Sequence, residues 1–395
     1  MTRTILDVHI LQTVPPNNIN RDDTGSPKTA YYGGALRSRV SSQAWKRATR
    51  SDFTRLLHPA ELGTRTKRVA EFLTEHIEEL DSSIERNEAW KLAAETIKAA
   101  TGSKVEPPKR SGKEEKEEGD EVAPQSSYLM FLSARQREAL AQLAVEGRDD
   151  ITGFFKDKEN KNRARRAADT NHSVDIALFG RMVADGADIN VDAAAQVAHA
   201  ISVHAAENDA DYYTAVDDHQ RDEESGAGMI GTIEFNSATL YRYAALDVDQ
   251  LRRNLGEGLR EGEDTTEPVR RAVRAFLHGF VESMPTGKIN TFGNHTLPEA
   301  VIVKLRDARP VNFVSAFEEP VPEEGGGYLR QACQRLATHI PEIERNYGME
   351  EETRTWVLRI GGSTAALDGL GTTVTMNELA EEASAEAAGN WTETN

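Results

Sequence analysis

Cysteine is almost absent: Cys333 is the one thiol in 395 residues. That excludes an internal disulfide and a thiolate zinc site, and it fits a reduced compartment. Long apolar runs are missing as well. Even the alanine-rich segment VDAAAQVAHAISVHAA at 191–206 contains Asp192, His199 and His204, whereas a membrane span needs about 20 uninterrupted apolar residues. The opening MTRTILDVHI lacks the charged and apolar regions of a secretion signal. The ten histidines show neither H-x-x-x-H nor H-E-x-x-H spacing, the patterns that would place two imidazoles on one metal. Net positive charge is also missing, because the formal charge is −18. These absences predict a soluble cytoplasmic protein with no membrane partner, metal or cofactor.

What is present is polarised. Residues 28–68 hold ten Lys/Arg against Asp52 and Glu61, a local net of +8, while residues 207–224 hold eight acids against Arg221. The tail 376–395 carries five Glu and no base. Charge acts where it sits and not as an average, so a nucleic-acid footprint on the first of these segments is compatible with an acidic whole. A single core stops growing at roughly 250–300 residues, so a chain of this length is expected to hold more than one domain.

Residues 4–11, TILDVHIL, alternate in part and predict a central strand with one well-buried face. The Pro-, Asn-, Asp- and Gly-rich stretch 14–35 then reads as a long surface loop, a frequent carrier of function. Ser41 or Ser42 suits a helix N-cap, and Ala44, Trp45, Ala48 and Leu56 recur at roughly helical spacing. Two helices are expected within 61–100. Residues 103–125 are so charged and so poor in apolar groups that they predict a disordered insertion. Helix is expected at 128–145, 191–205, 266–283 and 327–346, and strand at 232–244, 300–306 and 353–361. The fold class is therefore α+β, with insertions interrupting a sheet.

Three features could carry chemistry. GAGMIG at 226–231 spells G-x-G-x-x-G, but an acidic run precedes it and a strand follows, so the strand-to-helix context of a dinucleotide site is missing and a hairpin fits better. Asp22–Asp23 and Asp217–Asp218 could hold Mg²⁺ for phosphodiester cleavage, although adjacent acids in loops are usually turn residues. The basic strip around the α-helix start has a plain reading as a solvated face. Against it, Arg37 and Arg39 sit two apart on an extended approach, and Lys46, Arg47 and Arg50 recur within about a turn. Ser41, Ser42 and Gln43 add hydroxyls, an amide and free backbone N–H groups where a phosphate would bind.

NRDD at 20–23, YGGALRSRVSSQAWKRA at 32–48, FGRM at 179–182 and DYYTAVDD at 211–218 resemble, in this order, the CasC-type backbone subunits of the type I-E CRISPR Cascade complex, members of the RAMP superfamily. The likeness is strong to about Tyr243 and looser beyond. It implies an RRM-like (ferredoxin-like) palm at 1–60, 175–205 and 232–395, a helical fingers domain at 61–174 and a thumb β-hairpin at 206–231. In such subunits, copies polymerise along one crRNA beside the remaining Cascade subunits and present the guide to target DNA without cutting anything. By motif match, Arg21, Arg37, Arg39, Ser41, Gln43, Lys46 and Arg47 would hold RNA phosphates or sugars, with Arg181 and Met182 beside a kinked nucleotide. Tyr212, Tyr213, Thr214 and Val216 would displace a base. Lys161, Arg163, Arg165 and Arg166 would line a DNA channel. Two other functions stay open at this point: an RNA-guided ribonuclease using Asp22 or Asp23, and a solitary RRM-like single-strand binder.

Overall fold

A computed structural model describes residues 3–106, 123–182, 189–215, 229–256, 265–323, 327–349 and 353–389. The elements begin with β1 (Ile5–Asn17), β2 (Thr29–Tyr32), β3 (Ala35–Val40), α1 (Ser42–Leu56), β4 (Gly63–Thr66), α2 (Val69–Leu80), α3 (Arg86–Thr101), β5 (Val105–Glu106) and β6 (Gln125–Ser126). There follow β7 (Met130–Ser133), α4 (Ala134–Glu146), α5 (Ile151–Phe154), α6 (Lys158–Ala168), α7 (Val174–Phe179), β8 (Ala195–Val197), β9 (Ala200–Ser202), β10 (Asp209–Ala215) and β11 (Met229–Asp247). The chain continues through α8 (Val248–Gly256), α9 (Thr266–Glu282), α10 (Ile289–Phe292), β12 (Ala300–Arg306), α11 (Tyr328–Asn346), β13 (Thr353–Arg359), β14 (Thr372–Thr373) and α12 (Met376–Gly389). The fold is α+β. It divides into one unit of Met1–Phe53, Ala195–Asp249 and Val273–Asn395, and another of Thr54–Ala194 and Gln250–Ala272.

The first unit is built on a sheet of order β14-β13-β12-β1-β11-β9-β3-β2. Its centre is the antiparallel pairing of β1 with β11 on one side and β12 on the other. Side chains alternate across a strand, and here both sets are covered. Ile5 and Leu11 join Tyr241, Phe313, Phe317, Leu336 and Ile340 on one face, while Leu6, Val8 and Ile10 are equally buried on the other. The expected one-sided strand is thus buried on both faces. Burying these five aliphatic side chains contributes roughly 1.5–3 kcal/mol each before the entropy of ordering them is subtracted.

The second unit packs α2, α3, α4 and α6 around Leu73, Ile77, Leu92, Ile97 and Leu140. Its helix α4 starts with a reciprocal cap, in which the Ser133 hydroxyl accepts from Gln136 N and the Gln136 side chain accepts from Ser133 N. Ile176, Leu178, Ile189 and Ala194, which the sequence reading assigned to the palm, lie in this unit and are buried.

Several local expectations are corrected. Residues 191–205 form no helix; Ala195–Val197 and Ala200–Ser202 are strands paired to β11. Alanine's helical propensity is worth under 1 kcal/mol per residue, so tertiary strand pairing overrides it. The stretch 14–35 is not all loop: β1 runs on through Pro15 and Pro16 to Asn17 with a register shift after Val14, the irregularity expected where two prolines withhold donors. Tyr32 pairs with Ala35, and Gly33 and Gly34 turn the hairpin with φ of +57° and +74°, the geometry of a two-residue type I′ turn. Strand Met130–Ser133 precedes α4 where helix was expected. The segment 103–125 expected to be disordered is ordered at both ends, since Ser103 is buried and Val105–Glu106 pairs with Gln125–Ser126; residues 107–122 lie outside the described residues. The acidic tail forms α12, whose Glu382 accepts from the Trp356 indole at 2.9 Å. No helix among the described residues is long and apolar enough to cross a membrane.

Candidate nucleic-acid interface

The 15 residues of α1 sort by helical geometry into stripes. Trp45, Thr49 and Phe53 are buried. They recur every four residues, so they form one stripe turned to the core. Gln43, Arg47 and Ser51 are spaced in the same way half a turn away and are exposed. Beneath the helix the Arg242 guanidinium lies 3.7 Å from the Trp45 ring centroid and 4.8 Å from that of Phe280, and it donates to Gln12 Oε1 at 2.7 Å. Burial pushes the Arg242 pKa down to about 9, which leaves it charged at neutral pH. The aromatic sandwich and Gln12 thus pin α1 to the sheet.

The helix start is capped by Ser41, whose Oγ accepts from Ala44 N at 3.3 Å. Ser41 N donates to Asn20 Oδ1 at 2.8 Å, fastening the preceding loop to the helix. That loop is held at its base by Asn17 Nδ2, donating to Asn236 O at 2.9 Å, and by Asn18 Nδ2, donating to Glu234 O at 2.8 Å. No acid occupies the first turn of α1, so its partial positive charge is left for an external anion.

Around this helix start is a cavity of about 1120 Å³, lined by residues 19–25, by Ser41, Gln43, Ala44, Arg47, Ala48, Ser51 and Asp52, and by residues 283–288. It brings together Arg21, Ser41, Gln43 and Arg47 from the sequence-predicted set. Lys46 flanks this stripe and is half-buried, and burial lowers the pKa of its ammonium. Arg39 is held beside the helix start, with Nε donating to Thr29 O at 3.1 Å and Nη1 lying 3.3 Å from His199 Nδ1. Ser42 N also donates to His199 Nδ1, at 3.4 Å, which requires that nitrogen to be unprotonated. Burial, followed by the charges of Arg39 and Lys28, lowers the His199 pKa and keeps the ring neutral.

Two predicted RNA ligands have other work. Arg37 is fully buried, with Nη1 donating to Ser202 O at 3.0 Å and Nη2 to Phe317 O at 2.9 Å. This corrects the expectation that Arg37 and Arg39 serve one surface together: the two share a face of β3, but the backbone carbonyls of Ser202, Phe317 and Glu318 enclose Arg37, while Arg39 lies at the helix start. Arg181, in the second unit, is likewise internal: Nε donates to Ile189 O at 2.8 Å and Nη2 pairs with Asp169 at 3.2 Å. Its neighbour Met182 is 87% exposed, so the side chain on offer there is the thioether.

Asp22 is a turn residue. Its Oδ1 accepts from Thr24 Oγ1 at 2.7 Å and from Thr24 N and Ser26 N, and the Thr24 hydroxyl is the main cause of its lowered pKa. Asp23 is exposed in the same loop. Among the described residues no group of three His, Cys, Asp or Glu is placed to hold a metal. Asp217, Asp218, Val216 and residues 226–228 lie outside the described residues; Met229–Gly231 are strand.

The hairpin β10–β11 pairs Tyr213 with Gly231. Tyr212 and Tyr213 are 61% and 45% exposed. A Cβ on Gly231 would fall 2.4 Å from the Tyr213 ring, so glycine is what lets the ring lie across the partner strand. Thr214 is in the same strand. In the second unit α6 presents Lys161, Arg165 and Arg166 outward, whereas Arg163 is engaged by both Glu146 oxygens at 2.6 and 2.9 Å.

Sequence reasoning missed His199 and the loop 283–288. The signal for the loop was modest: MPTGK, a Pro/Gly turn closing a predicted helix and ending in a cation.

The groove at this helix start thus sets Arg21, Arg47 and Lys288, with free backbone amides, beside the carboxylates of Asp22, Asp23 and Asp52, on an α+β sheet. The family model described as CT1975-like protein matches residues 6–382, and this chain belongs to that family. Among solved structures it is similar to a chain of a "CRISPR RNA-guided surveillance complex, pre-nicking", with 31% identity and a TM-score of 0.78, covering 97% of this chain and 100% of that one. It is also similar to a chain of a "CRISPR RNA-guided surveillance complex", with 26% identity and a TM-score of 0.68, covering 96% of this chain and 99% of that one. The search of curated proteins returns no match.

Proposed function

We propose that this chain is a crRNA-binding backbone subunit of a Cascade-type surveillance complex, of type I-E, acting as a non-catalytic scaffold in the cytoplasm. The observation that carries the reading is the convergence of Arg21, Ser41, Gln43 and Arg47 on one groove at an unneutralised helix start. Cations there meet phosphates, the Ser41 cap and Gln43 meet sugar or phosphate oxygens, and none of them meets a base edge. Such contacts hold any sequence equally, which a guide carrier requires. The RRM-like sheet serves as a palm. Copies polymerise along the RNA with the other Cascade subunits, and target DNA pairs with the guide they present. The β10–β11 hairpin is the thumb, with Tyr212 and Tyr213 offering π faces to a base displaced from the stack; such stacking offsets roughly 1–3 kcal/mol per base.

The test is the salt dependence of RNA binding by the Lys46→Ala/Arg47→Ala double variant. The slope of log K against log salt is expected to fall by about 0.7 per lost contact on single-stranded RNA, and equally for guides of unrelated sequence. A loss confined to particular guide sequences would refute backbone-only recognition.

A further inference from the structure

The groove has a second wall that the basic strip does not supply. Residues 283–288 line the same cavity as Arg21 and Arg47. They leave α9, whose Gly279 packs against α1: a Cβ there would lie 3.0 Å from the Phe53 ring and 3.2 Å from the Thr49 methyl. The loop then passes so close to the Asn20 loop that a Cβ on Gly287 would sit 2.3 Å from Ile19 O. Next comes Lys288, an exposed residue in the left-handed region with φ 50° and ψ 26°. Asn171 is the other non-glycine residue with positive φ among the described residues.

Glycine or asparagine fills such a position at lower cost than lysine, because a Cβ followed by a long stem crowds the backbone there. A strained residue on a groove wall is a pointer to function. We propose that Lys288 is a further ligand of the nucleic-acid backbone, gripping a phosphate from the loop wall while Arg47 grips from the helix, so that the chain is held between two walls. This rests on the RNA-binding reading above and assigns it a residue outside the basic strip. Gly287 is the enabling partner, since its missing side chain lets the loop close on residues 18–19 and brings Lys288 to the cavity.

The strain supplies a test in which folding and binding move in opposite directions. Lys288→Gly removes the ammonium and relieves the backbone, so its Tm should equal or exceed that of the parent. Its affinity for labelled mixed-sequence single-stranded RNA should fall about fivefold at low salt, and its salt slope should fall by about 0.7, the value for one contact on a single strand. Lys288→Asn, tolerant of the same backbone, should give the same binding loss, and Lys288→Arg should keep the slope. If both neutral variants leave slope and affinity unchanged while Arg47→Ala lowers them, the Lys288 assignment is overturned and the groove survives. If the parent protein fails to bind RNA, or Arg47→Ala is also silent, the RNA-binding reading falls and takes this one with it.

Discussion

Replacing Gly287 by alanine tests whether the groove is preorganised. The added methyl would stand 2.3 Å from Ile19 O, 2.6 Å from Ile19 C and 2.8 Å from Asn18 O. Carbon and oxygen backbone atoms need about 3.5 Å, so one segment must retreat by about 1 Å. Neither is the free end of a side chain. Asn18 Nδ2 donates to Glu234 O at 2.8 Å and Asn17 Nδ2 to Asn236 O at 2.9 Å, which ties residues 17–19 to β11, so the 283–288 loop is the part that moves. Overpacking of this kind costs roughly 1–3 kcal/mol, which for a unit of this size lowers Tm by roughly 3–10 °C. The displaced wall should also weaken RNA binding, about two- to fivefold, as expected from losing one partly screened contact. Gly293→Ala is the matched control. Its φ is +57° but nothing lies within 4 Å of its Cβ, so it should cost about 1 kcal/mol of backbone strain and leave binding intact. Calorimetry and a fluorescence-anisotropy titration on both variants decide the matter. If Gly287→Ala binds RNA like the parent, or Gly293→Ala loses as much affinity, the loop is not a wall of the site.

Two further outcomes are expected. The buried His172 imidazole, pushed down to about 4 from its ordinary 6.5 by burial and then by Arg181, is neutral in the fold and takes up a proton more readily when unfolded; stability should be full above pH 6.5 and decline towards pH 4 by about 3 kcal/mol. Urea midpoints for the parent and His172→Gln check this, and equal declines in both would refute it. In the assembled complex, single mismatches scanned along a target DNA should show affinity relief at regular intervals, and Tyr212→Ala/Tyr213→Ala should blunt the pattern; a flat profile in the parent would exclude base displacement by the hairpin.

Of the basic strip, the helix itself and the exposed place of Arg47 were legible because they depend on local spacing, whereas Arg37 and Lys46 were drawn toward the interior. Residues four apart share a helix face whatever the rest of the chain does, so the exposed stripe of Gln43 and Arg47 and the buried stripe of Trp45 and Phe53 follow from order alone. The Ser41 cap, the α+β class and the hairpin before β11 followed from similarly local signals. Tertiary structure decided everything that depends on which residues meet from far away in the chain. It turned the alanine-rich 195–202 into strands, since an edge of β11 was there to pair with them. It took Arg37 into the interior, where backbone carbonyls of residues 202, 317 and 318 accept from Nη1 and Nη2 of a guanidinium that the sequence shows only as one more base. It also brought the loop 283–288 to residues 18–25, some 260 positions earlier in the chain. Charge and periodicity reveal a surface within one element; a groove between elements exists only once packing has fixed the distance between them.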